Sequence, residues 1–290
     1  MTDVWFCTNC HSLNRQRDKR CYKCATSQVD GTSQVPGAGP GLRLEAAIAN
    51  RAFTPYVSTL PFALIAAVLI LAVAAVGVVI LVGSLGAEQA LRQQITDILN
   101  GAPYNSASVA AVNASGTTIA VVRLVLVVAA VVAFGAWLSR VIANIPALGG
   151  GQPSTTPARA FIYTLIPIWN LIKVPGMLQD ALYRVEPQAG GFFMVAAAWF
   201  GLVGSWIVSF LGGWIIGFGL VKAVFDSPSR AAAVQAIQGS LDQSFALDFV
   251  TSVMVVAGAI ILVLLIARIE RRCVARDAEV RATVLGPAEA

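Results

Sequence analysis

Four long stretches of the chain are apolar almost throughout, at residues 57–82, 117–138, 192–220 and 249–267. Each is long enough for an α-helix to cross a hydrocarbon core ~30 Å thick, which takes ~20 residues. No water is present there to bond a bare amide, so helix is the form these stretches must adopt. The pattern predicts an all-α membrane fold of about four transmembrane helices. The third stretch sits in a long uncharged run between Glu186 and Lys222, which predicts a tilted or partly interfacial helix.

Shorter patterns fill the connections. Residues 160–172 are apolar but number only 13 and are broken by Pro167. Runs of ~10–14 residues are more often interfacial or re-entrant than spanning, so this segment is expected to be a cytoplasmic re-entrant hairpin or interfacial helix. Beyond Pro175, the apolar residues Met177, Leu178, Ala181, Leu182 and Val185 recur at helical spacing and predict an amphipathic helix lying on the membrane. On the other side, Leu91, Ile95, Ile98 and Leu99 share a face beside the i, i+4 pair Glu88 and Arg92. A short amphipathic helix is expected there, and a second over Val234, Ile237, Leu241 and Phe245.

Two features inside the spans bear on packing and chemistry. Gly201, Ser205, Ser209, Gly213 and Gly217 fall at every fourth position of the third span, a small-residue stripe on which another backbone can approach closely. Its expected partner is a helix of the same bundle, a second protomer of a homo-oligomer being the alternative. Arg123 is the only charged residue in the four stretches. It is expected to snorkel to the outer headgroups, the alternative being a buried role paired with an outer-face carboxylate. With no Asp, Glu or His in the predicted spans, proton-coupled transport is disfavoured. Gly204-Ser205 has no membrane histidine to act as its base, so an intramembrane serine protease is excluded. No catalytic residue and no enzyme activity are expected.

Composition agrees with a lipid solvent: 57% of residues are hydrophobic, 12% are charged and the mean hydropathy is +0.74, against ~25% charged in soluble domains. The first 50 residues contain no apolar stretch of signal length, so the first span is expected to serve as its own insertion signal. Lys and Arg concentrate before the first span (Arg43, Arg51), between the second and third (Arg140, Arg159, Lys173, Arg184) and after the fourth (Arg268, Arg271, Arg272, Arg276, Arg281). The other two connections hold only Arg92, Lys222 and Arg230 among several acids. Both termini are therefore expected in the cytoplasm of a multi-pass cell-membrane protein.

Four of the five cysteines form two C-x2-C pairs, Cys7/Cys10 and Cys21/Cys24, separated by ten residues. Each pair places two thiolates on one tight turn, and two pairs complete the tetrahedral sphere of a structural zinc ion. The alternative, two disulfides, needs an oxidising compartment, which the cytoplasmic assignment denies. His11, the only histidine, follows Cys10 and is expected to be a solvated neighbour, a substitute ligand being the alternative. The implied organisation is a zinc ribbon at 1–27, a Ser/Gly/Pro-rich flexible linker at 28–50, the four-helix domain at 51–272 and a cytoplasmic tail at 273–290.

The pattern Trp5-x-Cys7-x2-Cys10-x3-Asn14-x6-Cys21-x2-Cys24 resembles the Ran-binding-protein type of zinc finger, whose members bind proteins or single-stranded RNA. The ubiquitin-binding members carry Thr-Phe where this chain has His11 and Ser12. By this resemblance Trp5, Asn14, Arg15, Arg17, Lys19 and Arg20 are the candidate partner-binding residues. A cytoplasmic protein is the expected partner, with RNA as the alternative. The motifs Asn144-Ile-Pro-Ala-Leu-Gly149 and Pro167-Ile-Trp-Asn170-Leu171, followed by Pro175, resemble an uncharacterised bacterial four-helix membrane family, a domain of unknown function whose members often carry an N-terminal zinc ribbon. The likeness covers roughly 51–272 and implies an architecture without a known chemistry. The expected function is a membrane-anchored interaction or regulatory protein with a cytoplasmic zinc module. The alternative is a small channel or solute carrier with an accessory ribbon.

The ribbon should hold one zinc ion per chain, and because metal binding and folding are coupled, Cys21→Ala should abolish both. Elemental analysis that finds no zinc in the purified protein, or full zinc in the variant, would contradict the assignment.

Overall fold

A computed structural model describes residues 4–7, 13–15, 21, 32–33, 55–99, 106–151, 153–186 and 191–285. Three short strands, β1 (Val4–Cys7), β2 (Leu13–Arg15) and β3 (Thr32–Ser33), form an antiparallel sheet in the order β2-β1-β3. Strand β3 lies in the stretch whose composition reads as tether. Apart from short irregular segments such as 55–59, everything else described is helical or turn.

Four segments are long and apolar enough to cross a membrane, Leu60–Asp97, Thr117–Asn144, Phe192–Phe225 and Ala231–Ala282. The first belongs to helix α1 (Leu60–Leu99) and the second to α2 (Ser106–Asn144). The third is a run of α5 (Phe192–Trp199), a π-helical turn (Phe200–Gly204) and α6 (Ser205–Phe225). The fourth lies in α7 (Arg230–Leu285), whose start is capped by the Ser229 hydroxyl accepting from the amide of Ala232 at 3.2 Å.

The two amphipathic helices expected beside the outer ends are not separate. Leu91 to Leu99 continue α1, and Val234 to Phe245 open α7. No proline interrupts 62–99 or 229–285, so nothing breaks the hydrogen-bond ladder where the apolar run gives way to the amphipathic one. At ~1.5 Å per residue, the 56 residues of α7 far exceed what a bilayer core requires.

Between the second and third spans, a short 3-10 turn (Pro146–Leu148) ends on Gly149, whose φ of 77° is the left-handed conformation a glycine tolerates. Helices α3 (Pro157–Leu165) and α4 (Pro167–Val185) follow. The apolar run at 160–172 is thus a helix, a break at Ile166 and a second helix. Ile166 is extended because the ring of Pro167 excludes the helical conformation from the residue before it. The Asn170 side chain spans the break, donating from Nδ2 to the Thr164 carbonyl at 2.6 Å.

The chain divides into two compact units: residues Met1–Ala67, Val131–Val195 and Leu264–Ala290, and residues Val68–Ala130 and Ala196–Val263. In the first, Trp137, Leu138, Ile145, Leu178, Leu182, Leu265, Ile266 and Ile269 are fully buried. Val174, Met177, Leu178, Ala181 and Leu182 of α4 belong to this core. The amphipathic face read as lying on the membrane is instead covered by protein.

In the second unit most large apolar side chains point outward, Trp206, Ile215 and Phe218 among them, as suits a lipid solvent. Its closest packing is a glycine crossing. A Cβ added to Gly201 would stand 2.5 Å from the Cα of Gly258 and 2.7 Å from the Met254 carbonyl oxygen. The first partner of the stripe is therefore α7 of the same chain. Further along, Gly213 and Gly217 have nothing within 4 Å of an added Cβ. The same substitution should then have opposite outcomes at two positions. Gly201→Ala should cost ~1–3 kcal/mol by forcing the crossing apart, and Gly213→Ala should be neutral or better through helix propensity. Thermal unfolding in detergent measures both, and equal effects would contradict the crossing.

Candidate functional site

Polar side chains gather at two places in the helical part, one in each unit. In the first unit, Glu270 of α7 is 5% exposed. Its Oε1 accepts hydrogen bonds from the Thr59 hydroxyl at 2.7 Å and from Trp137 Nε1 at 2.8 Å. Oε2 has no partner among the described residues, nor does the Tyr56 hydroxyl beside Thr59 make a well-formed bond. Burial pushes the Tyr56 phenol up to about 12, with Cys273, Glu270 and Asp277 adding to the rise against the pull of Thr59. Residue spacing sets this cluster: Glu270, Cys273 and Asp277 recur at i, i+3 and i+7 on one face of α7, and all three are buried.

Around it the chain is tied by side chain to backbone contacts. Asn144 both accepts from the Val57 amide at 3.2 Å and donates to its carbonyl at 2.6 Å. Asp180 accepts from the Ser154 amide at 2.8 Å and pairs with Arg184 at 2.8 Å, and Arg184 donates onward to the Gly150 carbonyl at 2.9 Å. Glu186 takes Arg268 at 3.0 Å and Arg272 at 2.5 Å. Asn144 and Asn170 of the sequence motifs thus have a structural role, the first tying the segment before α1 to the end of α2 and the second spanning the break at Ile166. Burial alone would raise the Asp180 carboxyl, but the Ser154 and Arg184 contacts outweigh it and hold it below the usual carboxylate range.

In the second unit, a cavity of about 620 Å³ is lined by α1, α2, α6 and α7. Arg123 of α2 and Asp248 of α7 both line it. They lie close enough to act on one another electrostatically, yet among the described residues they form no ion pair. Arg123 thus shares its surroundings with a carboxylate rather than standing alone in lipid. Asp248 escapes a sequence reading because it precedes the apolar run of the fourth span by one position. Further out, Arg92 pairs with Glu88 at 2.6 Å as its spacing predicts, and also with Asp242 of α7, which spacing could not disclose.

The N-terminal candidates are described only in part. Trp5 in β1 pairs across from Asn14 in β2, β1 ends on Cys7 and β2 on Arg15. Asn14 is 1% exposed and Cys21 is 2% exposed. Cys10, Arg17, Lys19, Arg20 and Cys24 lie outside the described residues. Among the described residues no group of three or more His, Cys, Asp or Glu could hold a metal ion.

Four apolar helices with charged and amphipathic connections define a multi-pass α-helical membrane protein. Residues 101–271 match the family described as Domain of unknown function (DUF4328), more than half of the chain, and the protein belongs to that family. No curated protein and no solved structure matches it.

Two outcomes test the first cluster. Trp137→Phe should cost ~1–3 kcal/mol, since it takes a donor from a buried carboxylate. Adding Glu270→Leu should cost less than the sum of the two single changes, and strict additivity in thermal unfolding would show that the pair is not coupled. Asp180 is worth most above the ordinary carboxylate range, and its contribution is lost as pH falls through its lowered folded value. Asp180→Asn should therefore destabilise the protein at neutral pH and flatten its acid unfolding limb, which pH-dependent melting would record.

Proposed function

We propose that the protein is a membrane-anchored interaction or regulatory protein whose N-terminal ribbon, folded around zinc held by Cys7, Cys10, Cys21 and Cys24, captures a cytoplasmic protein. The observation that supports this most is the antiparallel pairing of Trp5 with Asn14 in a strand that ends on Cys7, together with the burial of Cys21. A segment this short cannot build a sufficient apolar core from Val4, Trp5, Phe6, Leu13 and Tyr22 alone, so a covered cysteine fits a metal-centred core. Thiolates in two C-x2-C pairs are the donor set zinc prefers. The burial of Asn14 suits a residue that holds the hairpin. Trp5 and the run from Arg15 to Arg20 are then the contact surface, which single-stranded RNA would also fit.

Both termini lie in the cytoplasm in this reading. An even number of spans returns the chain to the side it started from, and the excess of Lys and Arg selects the inner side. The helical domain anchors the ribbon. A second reading, a small channel or solute carrier, draws support from the charge-bearing cavity of the second unit.

Cysteine accessibility tests the topology: Ser108→Cys should react with an impermeant reagent added outside intact cells and Ser154→Cys should not, and the reverse pattern would overturn it. Crosslinking in membranes tests the recruitment. The full chain should yield a protein partner that is lost when residues 1–27 are deleted. If the crosslinks survive deletion while the truncated protein conducts solutes in liposomes, the carrier reading replaces the anchor.

A further inference from the structure

The cavity of the second unit has the composition of a binding site, and the anchoring role proposed for the helical domain does not require it. Its volume, about 620 Å³, lies within the ~300–1,000 Å³ typical of small-ligand sites. Most of its wall is aliphatic, supplied by α1 and α2, and Trp206 stands on the α6 side. Into this wall project one cation, Arg123, and one anion, Asp248, from different helices.

An Arg or Asp costs ~2.5–3.5 kcal/mol at the centre of a membrane helix on insertion scales and less toward the boundary, and such residues pair or mark a ligand path. Here the two face one space without closing on each other, and no hydrogen bond to either side chain is present among the described residues. The hydroxyls do not take their place. Ser205 donates to the Leu202 carbonyl at 2.8 Å and Thr251 to the Leu247 carbonyl at 2.9 Å. Their oxygens are left as acceptors, beside Ser209 and Ser252.

We infer that this cavity binds a zwitterion, with Arg123 holding an anionic oxyacid group and Asp248 an ammonium group. A ligand with both charges satisfies both side chains at once, whereas a simple anion would leave Asp248 repelling it. Two sources supply this chemistry, the headgroup of an aminophospholipid and a free amino-acid-like solute. The aliphatic wall and the positions of the charges favour the lipid. Arg123 stands six residues into the second predicted span and Asp248 one residue before the fourth, so both lie near one membrane boundary. A headgroup can enter there with its acyl chains against the wall.

The test uses the full chain, purified in detergent and melted with added phosphatidylethanolamine, phosphatidylglycerol or free phosphoethanolamine. Phosphatidylethanolamine at a hundred times its Kd should raise the midpoint by roughly 5 °C or more, and phosphatidylglycerol, which lacks the ammonium, should bind about tenfold more weakly. Arg123→Gln should weaken both lipids. Asp248→Asn should abolish the preference between them, and its ligand-free midpoint reads separately what the attraction between the two charges contributes without ligand. Stabilisation by phosphoethanolamine to the same extent as by the lipid would assign the site to a free solute with the same two contacts. If the two lipids shift the wild type equally, or no zwitterion shifts it more than it shifts the variants, the inference is overturned. Variants that lower the ligand-free midpoint and leave the lipid shifts intact would also overturn it, by showing that Arg123 and Asp248 only stabilise each other.

Discussion

A backbone amide inside a bilayer has no water to bond, and each one left bare costs several kcal/mol, so a chain that enters lipid must satisfy its own backbone along the whole crossing. This constraint explains why α1, α2 and α7 run on well past their apolar segments. Once a helix has emerged, continuing the ladder adds one bond per residue, whereas stopping exposes four carbonyls that need new partners. Without proline or a capping glycine, the amphipathic residues after 88 and before 249 stay in register with the spans. The helices end where the sequence supplies a breaker, at Asn100-Gly101-Ala-Pro103 and at Ser227-Pro228-Ser229.

The same constraint governs the polar side chains. In the first unit most buried polar side chains meet a backbone or side-chain partner, with Glu270 Oε2, Asn170 Oδ1 and the Tyr56 hydroxyl the exceptions among the described residues. Glu270 binds Thr59 and Trp137, Asn144 binds both backbone groups of Val57, and Asn170 bridges the break at Ile166. The Glu270 and Asn144 contacts join segments far apart in sequence and fix a register that apolar packing alone would leave loosely specified. In the second unit the balance differs. Arg123 and Asp248 face a cavity without bonding each other, an arrangement that suits recognition rather than packing.

The third span shows how a local irregularity serves packing and recognition together. Its π turn at Phe200–Gly204 accommodates one extra residue and offsets the faces before and after it by ~100°. Gly201 is held against Gly258, while Ser205, Trp206 and Ser209 reach the cavity. The turn lies at the closest approach of two backbones, where a wider helix is tolerated because glycine leaves room on both sides. The regular spacing of small residues does not carry one continuous contact. Positions four apart advance by ~40° per step on an α-helix, so the stripe winds away from α7 and leaves Gly213 and Gly217 facing open space.

Composition and periodicity alone determined the number of spans, their approximate limits, the i, i+4 pair of Glu88 and Arg92, and the membership of four cysteines in one short N-terminal segment. These are consequences of local chemistry: the length of an apolar run, the pitch of a helix, the spacing of donors. Tertiary structure decided the rest. The apolar face of α4 looks the same whether lipid or protein covers it, since both are equally apolar, and only the packing of Met177, Leu178, Ala181 and Leu182 in the first unit distinguishes them. Glu270 and Asp248 sit just past the two ends of the fourth apolar run, where a sequence reads them as solvated flanks. Their burial by Trp137 and Thr59, or their place beside Arg123, depends on residues more than a hundred positions away. Sequence periodicity records which way a side chain points from its own helix. It carries no information about what stands opposite.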